Sequence, residues 1–131
     1  MNFGALTLPL GPAYDPFRDA IAPAVERDPC DSIDDVMLDV ESGKAQAWVA
    51  TEGTAIRGAC VTQILGGSKA KQCFIRHCAG EGASEWVDFV GVIENWARLE
   101  GCDSIELIGR EGWQRLLGWE RPAVVLRKGL N

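Results

Sequence analysis

One stretch of the sequence decides the fold, residues 72–108: QCFIRHCAGEGASEWVDFVGVIENWARLEGCDSIELI. Its two ends, residues 72–78 and 104–108, are short and rich in apolar residues, which is typical of strands. Between them, residues 84–100 carry an apolar stripe at helical spacing, formed by Trp86, Phe89, Val90, Ile93, Trp96 and Ala97. Gly101 ends this helix. Two strands joined by such a helix run parallel in one sheet, so the stretch predicts a β-α-β unit.

The first strand of this unit carries apolar residues on both of its faces. Regular alternation places Phe74 and Cys78 on one face, and Cys73 and Ile75 on the other. A strand that is apolar on both faces is typical of the centre of a sheet with helices on either side. We therefore expect residues 72–78 to form a central strand.

The residues before this unit predict three strands and two helices. They are a strand at residues 5–8, a helix that begins at Asp15, a second helix between Ser32 and Gly43, and a hairpin of strands at residues 46–51 and 55–65. Pro23 is expected to interrupt the first helix, because proline lacks the N–H that the helix needs.

After the unit, residues 111–117 predict a short helix and residues 123–127 a last strand. The complete order is β-α-α-β-β-β-α-β-α-β. It predicts one domain, residues 1–131, of the α/β class, with about six strands in a mixed sheet. In this sheet a central parallel strand pair is joined by a long helix, and helices cover both faces.

Composition excludes several classes of partner. The formal net charge is −6, which opposes binding to nucleic acid and to anionic membranes and favours an amine or a basic peptide. The five cysteines have irregular spacing, and the N-terminus lacks the basic start of a signal peptide. We expect reduced thiols and a cytoplasmic protein that is not secreted.

Several motifs in the C-terminal half occur in a specific order. They are a long helix ending in A-x-x-x-G-C at residues 97–102, a strand, a short helix, the pair Gly118-Trp119, and L-x-K-x-L at residues 126–130. This succession resembles the cofactor-binding half of the GNAT superfamily of N-acetyltransferases, and the resemblance is densest over residues 93–130. The element order of the whole chain is similar to the GNAT fold, which implies a single GNAT-like domain.

The resemblance implies a site for acetyl-CoA or another acyl-CoA. In the family, the pyrophosphate lies on a glycine-containing loop at the start of the long helix, where free N–H groups favour an anion. The matching positions here are Arg76, His77, Cys78, Gly80, Gly82 and Ala83. Glu81 and Glu85 add negative charge at this loop, so the alternative is a glycine turn with acidic helix capping.

The family's usual catalytic tyrosine has no counterpart on the short late helix, since Tyr14 is the only tyrosine. Glu106 is then the candidate general base. Its apolar neighbours Ile105 and Leu107 predict a partly buried carboxyl with a raised pKa. The alternative is an ion-paired or edge-facing carboxylate.

His77 is the only histidine, and Cys73 and Cys78 lie near it. Regular alternation places Cys73 and His77 on one face and Cys78 on the other, so these residues do not predict a metal site. Cys73 and His77 are also too far apart along a strand to form a nucleophile pair. We expect small buried thiols and no metal.

Two functions of different classes fit these residues. The first is a divergent acyl-CoA-dependent N-acyltransferase that acts on a small amine or basic peptide, with backbone N–H groups near residues 76–78 polarising the thioester carbonyl. The second is a GNAT-like protein without catalysis that serves as a structural or interaction part, with protein partners or self-association. Compact GNAT-like chains of this kind also resemble proteins encoded among the virion genes of tailed phages, which implies a virion location for this alternative.

Overall fold

The computed structural model describes residues 1–80, 83–109 and 111–130. The elements, in chain order, are β1 (Asn2–Ala5), α1 (Tyr14–Glu26), α2 (Ile33–Glu41), β2 (Gln46–Glu52), β3 (Ala55–Gly66), β4 (Lys71–Gly80), α3 (Ala83–Leu99), β5 (Ser104–Leu107) and α4 (Glu111–Leu117). A turn of 3₁₀ helix at Gly11–Ala13 leads into α1. No helix in these ranges is long and apolar enough to cross a membrane.

The strands form one mixed sheet in the order β1-β2-β3-β4-β5. The first four strands pair antiparallel, and β4 and β5 pair parallel with α3 as their connection. The predicted β-α-β unit is therefore confirmed, and with it the mixed sheet with a parallel pair.

The helices cover both faces of this sheet. On one face α1 and α2 bury a cluster that includes Phe17, Ile21, Val36, Met37 and Val61. On the other face α3 buries a cluster that includes Trp48, Cys73, Trp86, Phe89 and Ile93. We call these the α1–α2 face and the α3 face. The packing of helices on each face removes apolar surface from water, which is the main favourable contribution to folding.

Local sequence signals explain where α2 begins and where α3 ends. The Ser32 hydroxyl accepts a hydrogen bond from the Asp35 N–H at 3.1 Å and thereby caps the start of α2. Gly101 follows α3 with a φ of 80°, a conformation that residues with a Cβ rarely adopt.

The interruption expected at Pro23 does not occur, because α1 continues through it to Glu26. Proline removes the hydrogen bond to the carbonyl of Asp19, and both residues are exposed, so water can solvate that carbonyl. The buried side chains of Ile21 and Val25 hold the helix against the sheet on both sides of the proline.

The last strand expected at residues 123–127 is also wrong, since residues 118–130 contain no strand. The sheet of the described residues therefore has five strands. A run such as Val124, Val125 and Leu126 favours a strand only where a neighbouring backbone pairs with it and a face is covered. Here the exposed fractions of these three residues are 60%, 58% and 89%.

Candidate functional site

Two parallel strands separate at the carboxyl end of the sheet. The pairing of β4 with β5 runs only from Gln72 opposite Ser104 to Ile75 opposite Leu107. Beyond these residues, β4 continues for five residues while pairing with β3 alone. The backbone N–H and C=O groups of β4 on the side of β5 therefore have no strand partner after Ile75.

A cleft of about 250 Å³ opens where the strands separate. Its lining consists of Ile75, Arg76, His77 and Cys78 of β4, Leu107 at the end of β5 with Ile108 and Gly109 after it, Ala24 and Arg27 at the end of α1, and Trp113 of α4. A second cavity of about 280 Å³ shares the residues from Leu107 to Gly109 and Trp113, and the C-terminal segment from Trp119 to Val125 also lines it. Both cavities are close to the size range of small-molecule sites.

A β-bulge decides which side chains of β4 face which helix layer. The pairing with β3 shifts register, so that Val61 lies opposite His77 while Thr62 lies opposite Ile75. Arg76 is the extra residue, and the bulge reverses the alternation for the residues that follow it. The predicted faces are therefore wrong after Arg76: Cys78 joins Cys73 on the α3 face, and His77 turns to the α1–α2 face.

Arg76 forms ion pairs with two carboxylates of the α1–α2 region. Its Nε and Nη2 donate to the two oxygens of Asp31, each at 2.9 Å, and its Nη1 donates to Asp39 Oδ2 at 2.8 Å. Burial of Asp31 disfavours its charge, but the hydrogen bonds from Arg76 and His77 outweigh burial and hold the pKa of Asp31 well below its usual range. Asp31 is consequently an ionised carboxylate beside the cleft.

His77 is buried and bonded to the same carboxylate, with 2.6 Å between its Nε2 and Asp31 Oδ2. Asp28 completes a group in which one ligand atom each from Asp28, Asp31 and His77 lie within 4.8 Å of one another. Both oxygens of Asp31 accept hydrogen bonds from Arg76. Asp31 and His77 therefore belong to a hydrogen-bonded ion-pair network with Arg76 and Asp39.

The α3 face of β4 carries thiols in place of charges. Cys60 and Cys78 are opposite each other on β3 and β4, and their sulfur atoms are 3.4 Å apart. Burial raises the pKa of the Cys60 thiol, and burial raises that of Cys73 to about 11. All five cysteines are free, and Cys60 and Cys73 are buried in an apolar layer, as the sequence predicts for Cys73.

The proposed cofactor loop is only partly described. Gly80 is the last residue of β4, and a Cβ added there would lie 2.7 Å from Trp86 Cζ2 and 3.0 Å from Gly58 Cα. A glycine at this position is required by the close contact with Trp86. Glu81 and Gly82 fall outside the described residues, and Ala83 is the first residue of α3.

Glu106 lies apart from the cleft. It is exposed rather than partly buried, sits opposite Phe74 in the paired part of β5, and is not among the described residues that line the cleft. Tyr14 packs against the α1–α2 face instead. Trp86 and Trp96 pack on the α3 face as expected, and Trp113 lies against Trp86 with ring centroids 5.8 Å apart.

Sequence reasoning missed the carboxylates of this site. Asp31 appeared only as part of a helix start, and no spacing rule connects it with Arg76, 45 residues later in the chain. The available signal was the density of acidic residues at 28–39 in a chain with one strongly polar pair, Arg76-His77, on an otherwise apolar central strand.

No family model and no curated protein matches the sequence, whereas several solved structures match the fold. The aminoglycoside acetyltransferase AAC(6')-Iy, in complex with the bisubstrate analogue CoA-S-monomethyl-acetylneamine, matches with a TM-score of 0.75 at 10% identity, covering 99% of this chain and 97% of that one. The aminoglycoside 6'-N-acetyltransferase AAC(6')-IG from Acinetobacter haemolyticus matches with 0.69 at 12% identity and full coverage of both chains. Glucosamine-6-phosphate N-acetyltransferase from Arabidopsis thaliana gives the same three values.

These neighbours align in fold with essentially the whole length of this chain. At such low identities the similarity concerns the fold. The chain therefore has the fold of the GNAT acetyltransferases, in a divergent form.

Proposed function

We propose that this protein binds an acyl-CoA in the cleft between β4 and β5 and transfers the acyl group to a small amine. The observation that carries this proposal is the separation of the two parallel strands after Ile75 and Leu107, which leaves an open cleft at the carboxyl end of the sheet. Ligands of open α/β sheets commonly bind at such a point. The bisubstrate analogue bound by AAC(6')-Iy supports an acyl-CoA as the ligand.

The walls of the cleft suit a thioester arm. Ile75, Leu107 and Trp113 provide apolar surface, and any backbone N–H group of β4 beyond Ile75 that is directed away from β3 has no strand partner there. Such groups are fixed donors that can polarise the thioester carbonyl as negative charge develops on its oxygen. We assign this role to the backbone of residues 76–78.

The pyrophosphate is proposed to lie at the start of α3, near Gly80, Gly82 and Ala83, where the free N–H groups of a helix end favour an anion. Of the side chains that the family pattern suggests, Arg76 is held by Asp31 and Asp39. In this proposal, backbone N–H groups rather than the guanidinium of Arg76 therefore bind the pyrophosphate.

The acyl acceptor is proposed to be a cationic amine. The net charge of −6 attracts such a molecule over distance, and Asp28 and Asp31 lie beside the cleft on the α1–α2 face. Aminoglycosides and glucosamine-6-phosphate are named as substrates of the neighbours, and both carry amines. A reducing, cytosolic location fits the free thiols.

Calorimetric titration with acetyl-CoA, followed by a thiol-release assay with a panel of amines and basic peptides, tests this proposal. Ala24→Phe should fill the cleft and abolish binding, since Ala24 lines it. The matched control is Ala55→Phe, at the exposed start of β3, which should bind as the unchanged protein does. Equal binding by the two variants places the ligand elsewhere, and no binding by the unchanged protein refutes the proposal.

A protein that has lost catalysis is the second candidate, and the exposed apolar C-terminal segment favours it. Val124, Val125, Leu126 and Leu130 are all more than half exposed, as is typical of surfaces that contact another chain. A structural role, in a virion or through self-association, predicts neither acetyl-CoA binding nor turnover, together with an assembly that is lost when Val125 and Leu126 are changed to serine.

A further inference from the structure

Asp31 and His77 form a hydrogen-bonded titratable pair at the cleft, and the proposed function gives the imidazole of His77 no role. His77 follows the bulge of β4, its side chain is 4% exposed, and it belongs to the lining of the cleft. Asp31 comes from the connection between α1 and α2. The bulge thus brings an imidazole and a carboxylate from distant parts of the chain to one side of the opening.

The carboxylate fixes which nitrogen of the ring carries the proton. An ionised carboxylate only accepts hydrogen bonds, and Asp31 is held ionised by Arg76. The Nε2 atom, 2.6 Å from Asp31 Oδ2, must therefore carry hydrogen. In the neutral ring the lone pair then lies on Nδ1, which is the arrangement of a base positioned by a carboxylate.

The Nδ1 atom is accessible from outside the protein. No buried side-chain nitrogen or oxygen of the described residues lacks a hydrogen-bond partner. The ring forms its hydrogen bond through Nε2. Among the described residues, the side chain of His77 forms no second hydrogen bond. Because Nδ1 has no hydrogen-bond partner and is not one of these buried atoms, it must contact solvent. The opening that His77 lines is the cleft.

Charged groups face His77 from the elements packed against it. Asp31 and Asp28 lie within 4.8 Å of it from the connection between α1 and α2. Arg76 on the same strand neutralises Asp31 in part and is shared with Asp39 of α2, and Arg27 lines the cleft at the end of α1. Three carboxylates and two guanidinium groups thus surround the imidazole.

We propose that His77 is the general base for acyl transfer in the cleft and that Asp31 is its positioning residue. This inference rests on the proposed function. His77 Nδ1, directly or through one water, takes a proton from the substrate ammonium, and the neutral amine attacks the thioester carbon. The C–N bond forms, the C–S bond breaks, and CoA leaves as the thiolate.

The nitrogen carries two protons after the attack; one passes to that thiolate, the other stays on the amide, and His77 returns its own proton to water. Ammonium and acyl-CoA thus give amide, CoA thiol and one released proton. Glu106, the base expected from the sequence, is exposed and outside the lining of the cleft, so it is less well placed for this step.

The unique histidine allows a direct test by NMR. In ¹⁵N-labelled protein, long-range ¹H–¹⁵N spectra distinguish the two tautomers of a single imidazole. We expect the Nε2–H tautomer in the unchanged protein, a mixture of tautomers in Asp31→Asn, and a shift of the Nδ1 resonance when acetyl-CoA is added. An Nδ1–H tautomer in the unchanged protein overturns the proposal.

Steady-state kinetics of acyl transfer provide a second test. His77→Gln should lower kcat roughly 10²-fold with little change in the Kd for acetyl-CoA. Asp31→Asn should lower kcat less, while Asp34→Asn, which removes another arginine-paired carboxylate away from the cleft, should match the unchanged protein. Thermal denaturation identifies any variant that fails to fold, and the NMR arm does not depend on the variants.

The outcomes separate the two proposals. Turnover that survives His77→Gln, or that falls equally in Glu106→Gln, overturns the assignment of the base and leaves acyl transfer intact. Absence of turnover in the unchanged protein with every amine refutes the proposed function and this inference with it.

Discussion

The two faces of β4 hold different chemistry although they belong to one strand. On the α1–α2 face, Arg76 and His77 bind the carboxylates of Asp31 and Asp39. On the α3 face, Cys73 and Cys78 pack among aromatic side chains. A single bulge sorts polar from apolar residues, because it places two consecutive polar residues on the same side. The apolar face stabilises the sheet, while the polar face offers groups that can bind and move protons.

The largest expected effect is on the α3 face. Phe89→Ala removes a side chain that is 1% exposed, and the cavity should lower the free energy of unfolding by about 3–5 kcal/mol. Urea denaturation measures this loss. The control is Val87→Ala on the same helix, where the side chain is 44% exposed and the loss should be far smaller. Equal losses would show that α3 is not packed through this face.

The next effect is on the α1–α2 face. Arg76→Met leaves the carboxylates of Asp31 and Asp39 without their cation. Because both pairs are partly solvated, we expect a loss of about 2 kcal/mol in the free energy of unfolding, below the range for fully buried pairs. Arg18→Met, which breaks an exposed pair with Asp34, should leave stability unchanged. If Arg76→Met leaves the free energy of unfolding unchanged, the ionic network does not stabilise this face.

A smaller, pH-dependent effect follows from the lowered pKa of Asp31. Ionised Asp31 stabilises the folded state fully above its unfolded pKa, about 4, and this contribution disappears as the pH falls further toward the folded-state pKa. The difference in unfolding free energy between the unchanged protein and Asp31→Asn should be constant from pH 5 to 7. Below about pH 4 it should shrink. A difference that persists undiminished at pH 2 contradicts the network.

The smallest effect concerns thiol reactivity, since it changes no stability. Iodoacetamide at neutral pH should modify the exposed Cys30 first. Cys60 and Cys73 should resist, because burial excludes the reagent and raises the pKa of each thiol. Mass spectrometry of the partly modified protein measures the order. Early modification of Cys60 would mean that the α3 face opens readily.

The sequence predicted the fold well where patterns are local. The stripe of α3, the cap at Ser32 and the hairpin of β2 and β3 depend on residues that are near each other in the chain. The expected strand at residues 123–127 failed because strand formation depends on a partner outside the segment. Pro23 failed as a helix breaker because solvent access, which is a tertiary property, decides whether the lost hydrogen bond matters.

The site was less predictable than the fold. Arg76, His77 and Cys78 were identified as candidates, and all three line the cleft. The faces predicted for His77 and Cys78 were wrong, because alternation holds only in a regular strand and the bulge at Arg76 leaves no signal in the sequence. Glu106 was chosen for its apolar neighbours, but β5 is the last strand of the described sheet, and its outer residues stay exposed.

The sequence by itself determined the β-α-β unit, the mixed sheet between two helical layers and the negative net charge, since periodicity and net charge are properties of the chain alone. Only the tertiary structure decided that β4 and β5 separate after Ile75, that His77 turns toward α1 and α2, and that Asp31 meets it there. These three features depend on pairing and packing between segments that are separated in the chain, as Asp31 and His77 are. No local pattern encodes them, because the free energy that fixes them comes from contacts that exist only in the folded chain.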